Sequence, residues 1–353
     1  MFSCLHQTLN RKHHKNNHEK MLNNHHINHP PASPMTDTGT SFLTNVKPTC
    51  PDWLLTQARQ STGGDFAVAI VGANTLVVME TAMIASQEGI ANPHLIGDKE
   101  IINRLGKELN WDLSEIMITD ANDADTNDED AIVNASIDLV NEGMVQAVMK
   151  GHVHTDRFMS GMLRQGNGIR SDKRMVHIFA MFPADGGKPL LISDAAINVA
   201  PDMKTRQTMM IELIHVAQAL GIARPAIAVI SATEKPIASI PSSLAARELA
   251  DWGKANLDNA DISGPLSFDL AISPDAVAIK GLDNDPVAGH ADAIIMPEIT
   301  AGNLLFKSLV WFKGACAAGV VTGGKVPIML TSRADPPAAR IASIALAAQI
   351  YSN

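Results

Sequence analysis

The sequence predicts an α/β fold built on a mostly parallel sheet, and three observations carry that expectation. Short, continuously apolar runs recur along the chain, as at Phe66–Val71 (FAVAIV) and Ala293–Met296 (AIIM). A strand buried on both faces reads as such an unbroken run, not as an alternation. Helical patterns stand between the runs, as at Met203–Leu220 and Leu304–Phe312. No repeat of fixed period is visible, so a solenoid or propeller is not indicated.

Taken in order, Phe66–Val71 opens the regular text, and a helical stretch follows near Leu76–Ser86. Gly89 then marks a break before a second strand-like run around His94–Ile96. Further buried-strand candidates are Val145–Met149, Lys188–Ile192 and Ala226–Ile230. Ala293–Met296, Ala317–Val321 and Val326–Leu330 complete the set. Strands alternating with helices over about 300 residues predict two α/β lobes.

Residues 1–50 differ from the rest. Seven of the thirteen histidines fall within the first 29 residues, followed by a Pro/Ser/Thr stretch near Pro30–Pro34. Such a segment buries too little apolar surface to offset its ordering entropy, so it is expected to be a disordered tail. Met21 and Met35 are alternative starts within it. Three cysteines without metal-ligand spacing (Cys4, Cys50, Cys316) fit a reduced compartment better than a disulfide framework. A formal net charge of −9 gives no support to a nucleic-acid role. No apolar run reaches transmembrane length, and the basic N-terminus lacks the apolar core of a secretory signal. A soluble, cytoplasmic protein without a membrane partner is expected.

Several motif-like segments fail on chemistry. Gly319–Val326 nearly spells a P-loop, but Val326 stands where Ser or Thr must hold the metal, and the segment leads into a strand. Its glycines are expected to turn the chain between strands. The acidic run with Asp123, Asp125 and Asn127 lacks the Gly and Glu of a calcium loop. His152 and His154 form an H-x-H pair with no third zinc ligand identifiable. There is no G-x-S-x-G elbow, and no G-x-G-x-x-G follows the first strand.

Two strand-to-helix turns carry the chemistry. After Val326–Leu330 come Thr331-Ser332-Arg333-Ala334-Asp335-Pro336, then a helix with Ile341, Ile344, Ala345 and Ala348 in helical spacing. Asp335 suits the N-cap and Pro336 the first helical position. Ser332 and Arg333 are not explained by capping. Amides and the dipole at such a turn favour an anion, and the guanidinium fork suits phosphate. The second turn follows Ala293–Met296, where Gly302 allows close approach and Asn303 could cap.

These residues resemble the phosphate acetyl/butyryltransferase family. The likeness rests on V-A-G-x-A-D (Val287–Asp292), P-x-I-x-A-G-N-x-x-x-K (Pro297–Lys307) and T-S-R-A-D (Thr331–Asp335). Lys150-Gly151 through Thr155, Gly168-Ile-Arg170 and Ser193–Asp202 with Asn198 extend it from about Asp65 to the C-terminus. The resemblance implies a phosphate acyltransferase interconverting acyl-CoA plus phosphate with acyl phosphate plus coenzyme A. It implies two three-layer α/β lobes around a cleft, as in isocitrate and isopropylmalate dehydrogenases: residues 51–155 with 322–353, and residues 156–321. It also implies a homodimer and no cofactor, coenzyme A being a substrate.

By the same resemblance, Arg333 steadies the oxyanion or the phosphate and Ser332 donates to the same group. Asp335 is either the base or only a helix cap. Lys150, Gly151, Thr155, Arg170, Asn198, Gly302, Asn303 and Lys307 are expected to bind substrate. Acetyl-type members carry Asp where this chain has Ala339 and Arg where it has Gly161. Both departures point to the butyryl-type branch and to a pocket that accepts more than acetyl. The alternatives are a catalytically inactive remnant that binds coenzyme A or phosphate, or an oxidoreductase of the related fold.

Overall fold

The computed structural model describes residues 42–121, 129–164, 166, 169–331 and 335–353, all within one unit, Phe42–Asn353. Residues 1–41 of the expected tail lie outside the described residues, as do Asp123, Asp125 and Asn127, Gly168, Ser332 and Arg333.

The first part of the chain forms α1 (Asp52–Thr62), β1 (Ala67–Val71), α2 (Leu76–Gln87), β2 (Asn92–Gly97), α3 (Lys99–Glu108) and β3 (Met117–Asp120). It continues with α4 (Glu129–Asn141), β4 (Ala147–Lys150) and α5 (Thr155–Leu163). The middle holds β5 (Val176–Phe182), β6 (Leu190–Ser193), α6 (Met203–Ala219), β7 (Ala226–Ile230), α7 (Pro241–Asn256) and β8 (Asp261–Leu266). Then follow α8 (Phe268–Ile272), α9 (Pro274–Lys280), β9 (Ala293–Ile295) and α10 (Ile299–Lys313). The chain ends with β10 (Cys316–Thr322), β11 (Ile328–Met329) and α11 (Pro337–Ser352).

Among the described residues, eleven strands join one sheet in the order β3-β2-β1-β4-β11-β10-β5-β6-β9-β7-β8. Pairing is parallel from β3 to β11 and from β6 to β8. Three antiparallel steps, β11–β10, β10–β5 and β5–β6, lie between these two blocks. The parallel blocks are buried on both faces, which is why their strands read as apolar runs: β7 (AIAVI) is buried at every position.

The strands the sequence hides are explained by their environments. β3 (MITD) is a half-exposed edge strand with polar residues. β8 (DISGPL) contains a Gly-Pro pair that reads as a turn, yet Gly264 lets β7 approach, since a Cβ there would meet Val229 Cβ at 2.8 Å. In β5 (VHIFAMF), His177 interrupts the apolar pattern.

The chain end inserts into the middle of the sheet. β11 lies between β4 and β10, and α11 packs on α1, α2, α6 and β10. This helix is buried from Ala339 to Ile350, and its small residues permit that closeness. The turn between β10 and β11 contains Gly323 at φ +85°, so the near P-loop is a strand-to-strand turn as expected. The helix itself begins one residue later than the sequence suggests. Pro336, not Asp335, is the N-cap, and Pro337 takes the first helical position.

Residues 42–50, counted with the tail from sequence, form no helix or strand but touch the end of α10. The Thr44 amide donates to the Trp311 carbonyl at 3.0 Å, and the Phe42 ring lies 6.3 Å from that of Phe312. No helix among the described residues is long and apolar enough to cross a membrane.

Candidate active site

A cleft of about 610 Å³ opens where the ends of β4 and β11 face α10 across β5 and β10. On the strand side, Lys150 closes β4 and Thr331 follows β11. The Thr331 hydroxyl donates to the Lys150 carbonyl at 2.5 Å, which ties the two strand ends together. Lys150 is buried, and its Nζ donates to the Gly151 carbonyl at 3.2 Å. Gly151 has no room for a side chain: a Cβ would meet the Val71 and Gly72 carbonyl oxygens at 2.7 and 2.8 Å. Thr155 then opens α5.

The opposite wall is α10. Glu298, not Asn303, caps it, accepting from the amides of Thr300 and Ala301 at 2.7 Å each. Those hydrogen bonds, the Thr300 amide's first, hold the Glu298 carboxyl below its usual range. Gly302 sits in the first turn against the Asp194 carbonyl and Ala195 Cα, so the helix approaches that loop at backbone distance. Asn303 is inside the helix, and its side chain donates to the Ala195 carbonyl at 3.2 Å. Asn303, Phe306, Lys307, Val310 and Trp311, spaced for one helical face, all line the cleft.

The loop that α10 touches is organised by Asp194. Its buried carboxylate accepts from the amides of His177, Ala196 and Ile197 at 2.8–2.9 Å and from the Asn198 side chain at 2.7 Å. His177 and Phe179 project from β5 to the cleft, and Phe179 stacks on Phe306 with centroids 4.2 Å apart. His177 is fully buried, and among the described residues neither ring nitrogen has a hydrogen-bond partner. Burial pushes its pKa down to about 4, with Asp194 opposing the shift. The imidazole is therefore neutral near pH 7.

Of the residues singled out from sequence, Lys150, Thr155, Asn303, Lys307 and Asp335 line the cleft together. Gly151 and Gly302 act on the backbone beside it. Asn198 binds Asp194 and the Met175 carbonyl, behind the lining. Arg170 lies elsewhere: it bridges to Gly324 and donates to the Leu163 carbonyl at 3.4 Å. Ser332 and Arg333 lie outside the described residues, but Thr331 and Asp335 on either side of them both line the cleft.

Two prolines change the expectation for this turn. Pro336 and Pro337 have no amide hydrogens, so the start of α11 offers an anion fewer donors than an ordinary helix N-terminus. The Asp335 carbonyl accepts from buried Arg340, whose pKa burial lowers while Asp335 opposes the shift. Ala339 lines the cleft beside Asp335, whereas Gly161 packs on Val133 inside α5. Sequence reasoning missed Phe179, Phe306 and Trp311. The signal for the last two was present in the helical spacing from Asn303.

A family model, phosphate acetyl/butaryl transferase, matches residues 122–348. The phosphate acetyltransferase of Rhizobium meliloti is 36% identical over 268 residues, covering 76% of this chain and 83% of its own. The phosphate butyryltransferase of Clostridium beijerinckii is 35% identical over 301 residues, covering 85% and 97%. Among solved structures, a branched-chain phosphotransacylase from Enterococcus faecalis V583 superposes with a TM-score of 0.69 at 29% identity, covering 81% of this chain and 99% of that one.

Proposed function

Because the chain belongs to the phosphate acetyl/butaryl transferase family, we propose that the cleft between β4, β11 and α10 is where it carries out acyl transfer. The chain is an acyltransferase that interconverts acyl-CoA and phosphate with acyl phosphate and coenzyme A. The observation that carries the location is the convergence of Lys150, Thr155, Asn303, Lys307 and Asp335 from three separate parts of the chain on one cleft.

In the reading we favour, the coenzyme A sulfur attacks the carbonyl carbon of the acyl phosphate. A C–S bond forms, the C–O bond to the phosphoryl group breaks, and phosphate departs with the electron pair. The thiol proton passes to Asp335, whose place on the cleft wall supports a role beyond capping. Arg333 and Ser332 stabilise the oxyanion that develops on the carbonyl. The cleft uses no cofactor. The reading keeps two lobes, residues 51–155 with 322–353 and residues 156–321, whose boundary in the sheet would fall at the antiparallel step between β11 and β10. The reading further includes a homodimer in the cytoplasm; exposed Leu304 and Phe312 on α10 are consistent with a second copy.

The test is free-thiol release from acetyl-CoA and butyryl-CoA with and without inorganic phosphate. Phosphate-dependent release from both is expected, with acetyl preferred by less than about 100-fold, because each methylene in an apolar pocket is worth about 1–3 kcal/mol. Release without phosphate, or none from either donor, would overturn the reading.

A further inference from the structure

The cleft is graded from dry to wet. His177 and Ala195, at its floor, are fully buried. At its rim Trp311 is 58% exposed, although a large indole in contact with solvent forgoes burial worth having. Lys307, one helical turn earlier on the same face, is also exposed, and among the described residues it forms no ion pair. Its Nζ lies 6.0 Å from the Phe306 ring. A planar aromatic face beside a cation suits a ligand that offers a flat ring and an anion together.

Resting on the function proposed above, the acyl donor has such a part. Its reacting carbonyl must be kept from water, which favours the floor. Its adenine nucleotide end is heavily charged and hydrated, which favours the rim. Asn303 and Trp311 are separated by about 12 Å along the helix, so α10 offers length for an extended arm between the two ends. We propose that Trp311 and Lys307 form the nucleotide subsite: the indole stacks on the adenine and the ammonium pairs with the phosphates.

The experiment compares butyryl-CoA with butyryl-pantetheine, which lacks the nucleotide, in the wild type and in Trp311→Ala and Trp311→Phe. The readout is the ratio of kcat/KM for the two donors. Loss of one base-stacking contact should cut that ratio roughly tenfold in Trp311→Ala, while Trp311→Phe retains most of it. A ratio unchanged in Trp311→Ala overturns the subsite, whatever the absolute activities. A second measurement does not depend on turnover: adenosine 3′,5′-bisphosphate should quench the wild-type tryptophan fluorescence, and the quench should be lost in Trp311→Phe. An equal quench in both proteins also overturns it. Should the wild type turn over neither donor, the function reading fails and the quench alone decides the subsite.

Discussion

Arg333 stands two residues beyond Thr331, whose hydroxyl fixes the end of β11 to the end of β4. In the function proposed above, the Arg333 guanidinium meets charge that grows only as the carbonyl becomes tetrahedral, so its effect would belong mainly to turnover. Removing one preorganised group of this kind typically costs about 10²–10³ in rate. Arg333→Ala should lower kcat by that order without a change in melting temperature. Arg333→Lys should recover little, because the ammonium keeps the charge but not the planar fork. Near-normal kcat with a slightly lower melting temperature would instead mark a surface ion pair. At this scale the sequence was informative about chemistry and poor about neighbours. Asp335 was legible by type as a helix-cap candidate, whereas Lys307 stood out only through the resemblance to the family. That Asn198 serves Asp194, and that Pro336 displaces Asp335 from the cap, depends on contacts between distant segments.

Among the elements, α10 does the most to shape the cleft, and Gly302 sets its position. A Cβ at Gly302 would overlap the Asp194 carbonyl and press on Ala195 Cα, both backbone atoms of a loop held by four hydrogen bonds to the Asp194 carboxylate. Neither side yields easily. Gly302→Ala should therefore destabilise by about 1–3 kcal/mol, as overpacking does. It should also lower kcat/KM, because Asn303, Phe306, Lys307 and Trp311 all ride on the displaced helix. An unchanged melting temperature together with full activity would show that the helix can shift at no cost. The sequence located this helix and flagged Gly302 for close approach, but read Asn303 as the cap. The true cap, Glu298, lies five residues earlier, and Glu, unlike Asp, is not among the residues preferred at that position.

Over the whole molecule, the sheet class was legible because both parallel blocks are buried on two faces and therefore spell continuous apolar runs. The strand order was not, since β11 and β10 come from the end of the chain yet sit at the centre. That centre also holds His177, buried on β5 among Phe179, Gly319 and the Asp194 loop, and it links global stability to pH. Folding lowers its pKa from 6.5 to about 4, burial being the main cause and Asp194 opposing it. Above pH 6.5 the ring is neutral in both states and adds no pH dependence. As pH falls from 6.5 toward 4, the unfolded chain takes up a proton that the folded chain refuses, so stability drops. The loss is complete near pH 4 and amounts to about 3 kcal/mol. Carboxylates contribute to acid unfolding as well, so the comparison is with His177→Gln, which removes the titrating group but keeps a polar side chain. Urea unfolding at pH 7.5, 6, 5 and 4 (conditions spanning roughly the window set by the two pKa values) should show the wild type losing stability faster than the variant. Parallel losses would mean that His177 titrates inside the fold as it does in the unfolded chain, and a slower loss in the wild type would mean that Asp194 holds the imidazole at the cleft floor as a cation.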